Sequence, residues 1–353
     1  MDSIELFGKP IEPLLRHKKS FFTDNDAILE NSKRIGEIYK VQPLRTACKN
    51  CGAPKPSAPE EFIKQGIPYW FCAQCGHLTG AYDDSDEFCA QVYTGSGSEN
   101  YAKNYATQTK EEYHRRLQDI YVPKAKFLID ALTKEGMDPS EQKYADFGAG
   151  SGYFAGALYE SGLRRIAGYE PSPHQVDFGN RMLPAPLLKC TPLTDFENLA
   201  ATTDSTVVSM IGVMEHFQYP RAIMKSLAEN SAVQYVYILI PLFSPAIFFE
   251  LAFPEVVQRV LGGRHTHIYT QESISWLCNE FGFEQCGAWW FGTDIADIFR
   301  DVFVTLTKQG HSGSLIERWK EMFLPLIDQM QMVVDKNKVC SEGHLLFKKK
   351  SRA

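Results

Sequence analysis

The chain has 353 residues, enough for about two domains of ~100–200 residues each around a sizeable buried core. Its composition, 44% apolar, 23% charged and 12% aromatic, excludes disordered, collagenous and coiled-coil classes. The 37 basic and 43 acidic side chains sum to −6, so no overall field draws the chain to phosphate backbones, which argues against a nucleic-acid partner.

From the amino end, Met1 to Pro10 carries Asp2 and Glu5 and no apolar run, unlike a signal peptide, and predicts a cytoplasmic protein. Residues 1–47 read as an arm with one short helix around Asn25 to Tyr39. Nine cysteines follow a telling distribution: four form two Cys-x-x-Cys pairs, and Cys89, Cys190, Cys278, Cys286 and Cys340 are scattered as packed thiols. Cys48-x2-Cys51 and Cys72-x2-Cys75 stand twenty residues apart, the spacing of a zinc ribbon. Four thiolates leave a tetrahedral Zn2+ no open position, so the ion would be structural, stapling a module over residues 48–92. Gly52 and Gly76 follow the second cysteine of each pair, where a turn aims backbone amides at the sulfurs. A redox Cys-x-x-Cys or buried free thiols are the alternative.

The Gly/Ser segment Thr94 to Asn100 marks a boundary, and a core is expected over 93–312. Lys110 to Leu132 has helical spacing divided by Pro123. Tyr144 to Phe147, Ile166 to Tyr169, Thr206 to Ile211 and Tyr235 to Ile240 read as strands with amphipathic runs between them, an α/β pattern with a parallel sheet. Tyr235 to Phe253 is as long as a membrane span, but Pro241, Ser244, Pro245 and Glu250 interrupt it, so it reads as a buried strand running into a helix, with no membrane partner. An insertion at 244–270 suits a substrate loop, and a helix is expected from Gln271 to Phe281. Glu284 to Phe291, Val302 to Leu306 and His344 to Phe347 are expected to finish the sheet. Over 313–353, Leu315, Trp319, Phe323, Leu326, Met330 and Val333 mark a helix that Pro325 bends before the final strand.

The turn Asp146-Phe-Gly148-Ala149-Gly150-Ser-Gly152 lies between a predicted strand and a predicted helix. Glycines there permit positive φ and close approach of a ligand to the backbone at a helix N-terminus. The dinucleotide pattern G-x-G-x-x-G requires glycine where Tyr153 stands, which disfavours NAD. Together with Glu170 at the end of the next strand, the turn resembles the class I S-adenosylmethionine methyltransferases, whose fold is a Rossmann-like sheet with helices on both faces. The resemblance implies that Asp146, Gly148, Ala149, Gly150 and Gly152 hold the cofactor and that Glu170 accepts hydrogen bonds from its ribose diol. A carboxylate suits that task because it only accepts. Met210 to Phe217 looks like the Val-Leu-Glu-His segment of the same family, which places Glu215 beside the cofactor and His216 near the reacting proton.

A zinc ribbon ahead of such a core is similar to the deoxysugar C-methyltransferases, with coverage from about Cys48 to Thr270. That family's Tyr-rich Ser/Gly segment corresponds to Tyr93-Thr-Gly-Ser-Gly-Ser98, making Tyr93 a catalytic candidate. Its Tyr-x-Glu-His motif falls on Arg264-His265-Thr266-His267, where only His267 matches. His267 and His265 are the leading bases, and their alternation sends them to opposite sides if extended; Arg264 could grip a phosphate. The acceptor implied is a small polar molecule, most plausibly a sugar nucleotide, methylated at C, O or N. The alternatives are a zinc-ribbon RNA methyltransferase and a non-catalytic scaffold with the same fold.

Overall fold

The computed structural model describes residues 3–17, 24–89, 91–92, 109–257, 259–261 and 265–350. Short apolar runs punctuated by glycine and proline turns form the strands β1 (Ile4–Phe7), β2 (Phe62–Lys64), β3 (Ile67–Phe71), β4 (Leu78–Gly80), β5 (Tyr144–Phe147), β6 (Ile166–Glu170), β7 (Leu188–Cys190), β8 (Val207–Ile211), β9 (Tyr235–Pro241), β10 (His267–Ile268), β11 (Phe283–Phe291) and β12 (Glu342–Lys349). Among the described residues they make two sheets, ordered β1-β11-β12-β9-β8-β5-β6-β7 and β10-β4-β3-β2.

In the large sheet β7, β6, β5, β8 and β9 run parallel. β12 lies antiparallel between β9 and β11, and β1 pairs parallel with the far side of β11. Both faces are covered, as an open parallel sheet requires. Along β9, Tyr235 and Tyr237 join one apolar core with Leu128, Phe154, Leu158 and Trp289, whereas Val236, Ile238 and Ile240 join another with Met210, Ile223, Leu227 and Leu277. That alternation is the strand period of two. The α/β architecture with helices on both faces is the one expected.

The helices follow the sequence pattern with one exception. Asn25–Lys40, Pro245–Ala252 and Gln271–Phe281 stand where they were expected. Pro123 sits in the first turn of Val122–Lys134, joined to the helix Lys110–Arg116 through a π-turn at Leu117–Tyr121. Pro325 divides the late helix into Gly313–Phe323 and Ile327–Lys336. Val302 to Leu306 is not a strand but part of the helix Asp294–Lys308. Its β-branched residues favour a sheet, but burial of Ile295, Ala296, Phe299 and Val304 along one helical face outweighs that preference. No helix among the described residues is long and apolar enough to cross a membrane.

The small sheet combines three strands of the cysteine-rich segment with β10 from the 244–270 insertion. Its apolar side, with Ile67, Tyr69 and Leu78, packs on Ile35 and Tyr39 of Asn25–Lys40 and on Ala246 and Ile247 of Pro245–Ala252. The insertion thus ties the module to the main fold.

Candidate functional site

β5 delivers the chain into a turn whose glycines, Gly148, Gly150 and Gly152, have φ of +67°, +54° and +79°. Side chains rarely adopt these angles. Space forbids them as well: a Cβ on Gly148 would meet Val213 at 2.7 Å, and one on Gly152 would meet Leu183 at 2.8 Å. The Ala149 amide donates to the Tyr169 carbonyl at 3.0 Å, fixing the turn against β6.

Glu170, at the end of β6, accepts from the Gly150 amide at 2.9 Å through one carboxylate oxygen and from the Ser172 amide at 3.0 Å through the other. Burial pushes its carboxyl up, and the two amides oppose that shift. Asp146 is buried behind the turn and accepts from Ser209 Oγ at 2.6 Å; burial pushes its carboxyl up to about 7. Asp146, Gly148, Ala149, Gly150 and Glu170 line a cavity of about 250 Å³ together with Tyr121, Tyr153, Gln175, Phe196, Val213 and His216. The cavity opens at the carboxyl ends of β5, β6 and β8, where the strand order reverses and open α/β sheets bind ligands. Gly152 stands behind the wall, packed on Leu183 and Leu188.

Past β8, Gly212 turns the chain into a 3-10 turn, Met214–His216. His216 reaches the cavity wall; Glu215 does not, and is buried behind it with Oε2 lacking a hydrogen-bond partner. The His265 ring lies 5.0 Å from that of His216. Its Nδ1 is 2.6 Å from the Val260 carbonyl, which only accepts, so Nδ1 carries a proton. Glu215, His216 and His265 bring ligand-type atoms within 4.8 Å of one another.

His267 does not share this cluster. It pairs with Thr79 in the small sheet, is fully buried, and its Nδ1 lies 2.8 Å from His77 Nε2. Burial holds both imidazoles neutral. The expected opposition of His265 and His267 is present, but it leaves His265, not His267, beside the cavity wall. Tyr93 and Arg264 lie outside the described residues.

Burial pushes the Glu215 carboxyl up to about 8, from about 4.5 when unfolded. Between those values the folded chain binds a proton that the unfolded chain has lost. The resulting stability is complete below pH 4.5 and disappears as pH rises through 8. Glu215→Gln should flatten this dependence, narrowing the loss of unfolding free energy between pH 5 and 8.5 by about 4 kcal/mol, on the scale of 1.36 kcal/mol per pKa unit. Urea titrations of both proteins across that range measure it, and parallel pH profiles would remove Glu215 as the cause.

The four paired cysteines converge. Cys48 and Cys75 sulfurs are 3.7 Å apart, Cys51 and Cys72 sulfurs 3.4 Å, and all four lie within 4.8 Å of one another. A tetrahedral thiolate site with bonds of about 2.3 Å has edges near 3.8 Å, so the set fits such an ion. Gly52 and Gly76 adopt φ of +76° and +69°, and the amide after Gly52, that of Ala53, donates to Cys51 Sγ at 3.4 Å. Asn50 Nδ2 donates to Cys75 Sγ at 3.5 Å and to the Ser273 carbonyl at 2.9 Å, while Arg221 donates to the Asn50 carbonyl at 3.0 Å. These contacts dock the knuckle on Gln271–Phe281.

Sequence reasoning missed Tyr121, Tyr153 and Gln175 on the cavity wall and His77 beside His267. Tyr121 carried a signal, its place after Tyr113 and Leu117 at helical spacing, but it reads equally as core. His77 followed a Cys-x-x-Cys-Gly turn with nothing to connect it to a residue 190 positions later.

Among solved structures, the chain is similar to a magnesium protoporphyrin IX methyltransferase from Synechocystis with bound SAH, at 12% identity and a TM-score of 0.43 over 57% of this chain and 90% of that one. It is similar to a geranyl diphosphate C-methyltransferase from Streptomyces coelicolor at 11% identity, TM-score 0.42, over 69% and 84%. The plantazolicin methyltransferase BpumL, in complex with SAH, aligns at 14% identity, TM-score 0.44, over 74% and 94%. No curated protein matches the sequence. Residues 113–285 match the family model described as a methyltransferase domain, and the protein accordingly carries a class I S-adenosylmethionine-dependent methyltransferase domain.

Proposed function

We propose that the protein transfers the methyl group of S-adenosylmethionine to a small polar acceptor, a sugar nucleotide or related carbohydrate metabolite, beside a structural zinc held by Cys48, Cys51, Cys72 and Cys75. The observation that carries this reading is Glu170: a buried carboxylate on the cavity wall, aimed by the Gly150 and Ser172 amides and set across from a turn without side chains. A carboxylate so placed accepts two hydroxyl donors, and the bare turn admits a ligand to the backbone. Bound there, S-adenosylmethionine supplies an electrophilic methyl on sulfur.

The chain's own work is positioning and proton removal. Gly148, Ala149 and Gly150 present the backbone, Asp146 braces the turn through Ser209, and Tyr121 and Tyr153 wall off water. His216 takes the acceptor proton, with the His265 ring and the buried Glu215 carboxyl beside it. His267, interred against His77, keeps the small sheet in register. The neighbouring zinc knuckle holds β10 and, through it, His265 near the acceptor.

Incubation with methyl-labelled S-adenosylmethionine and a pool of nucleotide sugars, followed by mass spectrometric location of the label, identifies the acceptor and its atom. His216→Ala should leave S-adenosylhomocysteine affinity within twofold and slow turnover about 100-fold or more, the usual share of a general base. An unchanged rate would take the proton-transfer role from His216.

A further inference from the structure

The three carboxylates at the carboxyl end of β5, β6 and β8 are not equally served. Glu170 accepts from two backbone amides, and Asp146 accepts from Ser209. Glu215 is 4% exposed, yet among the described residues its Oε2 has no hydrogen-bond partner. Its Oε1 lies 3.9 Å from His216 Nε2, too far for a hydrogen bond. The His265 ring stands 5.0 Å from that of His216, centre to centre, tilted by 41°. One ligand atom from each of the three residues lies within 4.8 Å of the other two.

These separations suit one ion better than a hydrogen-bonded chain. Bonds of about 2.0–2.2 Å put two ligand atoms about 3.0 Å apart at a right angle and about 4.2 Å apart when opposed, so 3.9 Å already fits, and closure of the set from 4.8 Å takes a shift of about half an ångström. The tautomer of His265 fits as well. Its Nδ1 proton goes to the Val260 carbonyl at 2.6 Å, which leaves the ring's lone pair on Nε2. A carbonyl in that position is the usual partner that orients a ligating imidazole. A buried carboxylate oxygen without a donor has lost water and gained nothing, and such an atom in a native fold calls for a water, an ion or a catalytic role. A cation between Glu215 and two imidazoles answers it.

We infer that Glu215, His216 and His265 form a second metal site, different in donor chemistry from the four cysteines, for a divalent ion of the Mn2+ to Zn2+ series that binds an oxygen of the methyl acceptor. Two imidazoles and one carboxylate suit that series and leave coordination positions open. Of the three side chains His216 lines the cavity, so the open positions are reached from there. The inference rests on the methyl-transfer reading for its role and narrows the acceptor to a hydroxyl compound. The ion makes a bound hydroxyl more acidic: its proton leaves to water, and the methyl group passes to the oxygen as the carbon–sulfur bond of the donor breaks, with that bond's electron pair remaining on sulfur. His216 cannot hold the ion and accept the proton at once, so it serves as base in the ion-free chain and as ligand in the loaded one.

The test is a titration of Mn2+ into the full chain carrying its zinc, with free Mn2+ followed by electron paramagnetic resonance and the bound ion by relaxation of water protons. Mn2+ prefers oxygen and nitrogen to thiolate, so the cysteine knuckle does not compete for it. One Mn2+ per chain should bind, water relaxation should rise because open positions exchange water, and zinc content should stay constant. Glu215→Gln and His265→Ala should each weaken Mn2+ binding about tenfold or more while S-adenosylhomocysteine affinity stays within twofold. Should Glu215→Gln fail to fold, His265→Ala decides. Absence of saturable Mn2+ binding, or unaltered affinity in the folded variants, overturns the site; bound Mn2+ without a rise in water relaxation overturns its role toward the acceptor. Failure of the unsubstituted protein to bind S-adenosylhomocysteine would instead sink the methyl-transfer reading, and the Mn2+ titration, which needs no donor, still reports on the three ligands.

Discussion

Glu170→Ala should weaken S-adenosylhomocysteine binding about 100-fold, measured by calorimetry at constant ionic strength. Hydrogen bonds to a charged acceptor contribute about 1.5–3 kcal/mol each, and loss of two ribose partners therefore removes about 3 kcal/mol, with 1.4 kcal/mol per factor of ten. The same carboxylate receives the Gly150 and Ser172 amides, so its removal also loosens the turn. Glu170→Gln separates the two effects. The amide oxygen keeps one acceptor, whereas the NH2 faces donors it cannot pair with, and an intermediate loss is expected. Affinity within twofold of the unsubstituted protein in both variants would mean that the ribose lies elsewhere.

The second large effect concerns the metal knuckle. Cys72→Ser should reduce bound zinc from about one ion per chain to none by elemental analysis, and abolish the cooperative melting of the N-terminal module. The core around the four sulfurs is small, with Trp70 as its principal fully buried large side chain and Ala53 and Trp276 at its margin. A core of that size would depend on the proposed ion, since zinc binding to such peptides supplies about 10–16 kcal/mol of apparent folding free energy. Because β10 pairs with β4, release of the module frees His267 and Ile268 and with them the neighbouring His265. Turnover should therefore fall far more than S-adenosylhomocysteine affinity, whose cavity is built on β5, β6 and β8. Cys190→Ser is the control: that thiol is exposed and donates to the Pro171 carbonyl at 3.8 Å, apart from the four-cysteine cluster, so zinc content should not change. Full zinc occupancy in Cys72→Ser would exclude the four-thiolate site.

The features legible in the sequence are those in which local chemistry dictates the outcome. Gly148, Gly150 and Gly152 announce positive φ, the cysteine pairs announce convergence, and the apolar runs of β5, β8 and β9 are buried on both faces. What was hidden depends on distant partners. β1 and β7 are four and three residues long, too short for a period, and exist because β11 and β6 offer them an edge. Val302 to Leu306 carries strand-like residues but belongs to a helix whose Ile295, Ala296 and Phe299 pack with Ile327. His267 resembled a catalytic residue because it alone matched a motif, yet burial against His77 decided its position.

The placement of β12 constrains how the molecule can be synthesised. Among the described residues it is the only strand joining β9 to β11, and β1 reaches the sheet only through β11, so the first strand made and the ninth cannot be connected until residue 349 has left the ribosome. During translation the apolar edge of β9 therefore waits uncovered for about a hundred residues' worth of elongation, several seconds or more at ordinary rates. A nascent chain in that state is a natural client for a chaperone that shields unpaired strand edges, and loss of the last eight sheet residues would leave a five-stranded sheet and a separate two-stranded one rather than a slightly shortened enzyme.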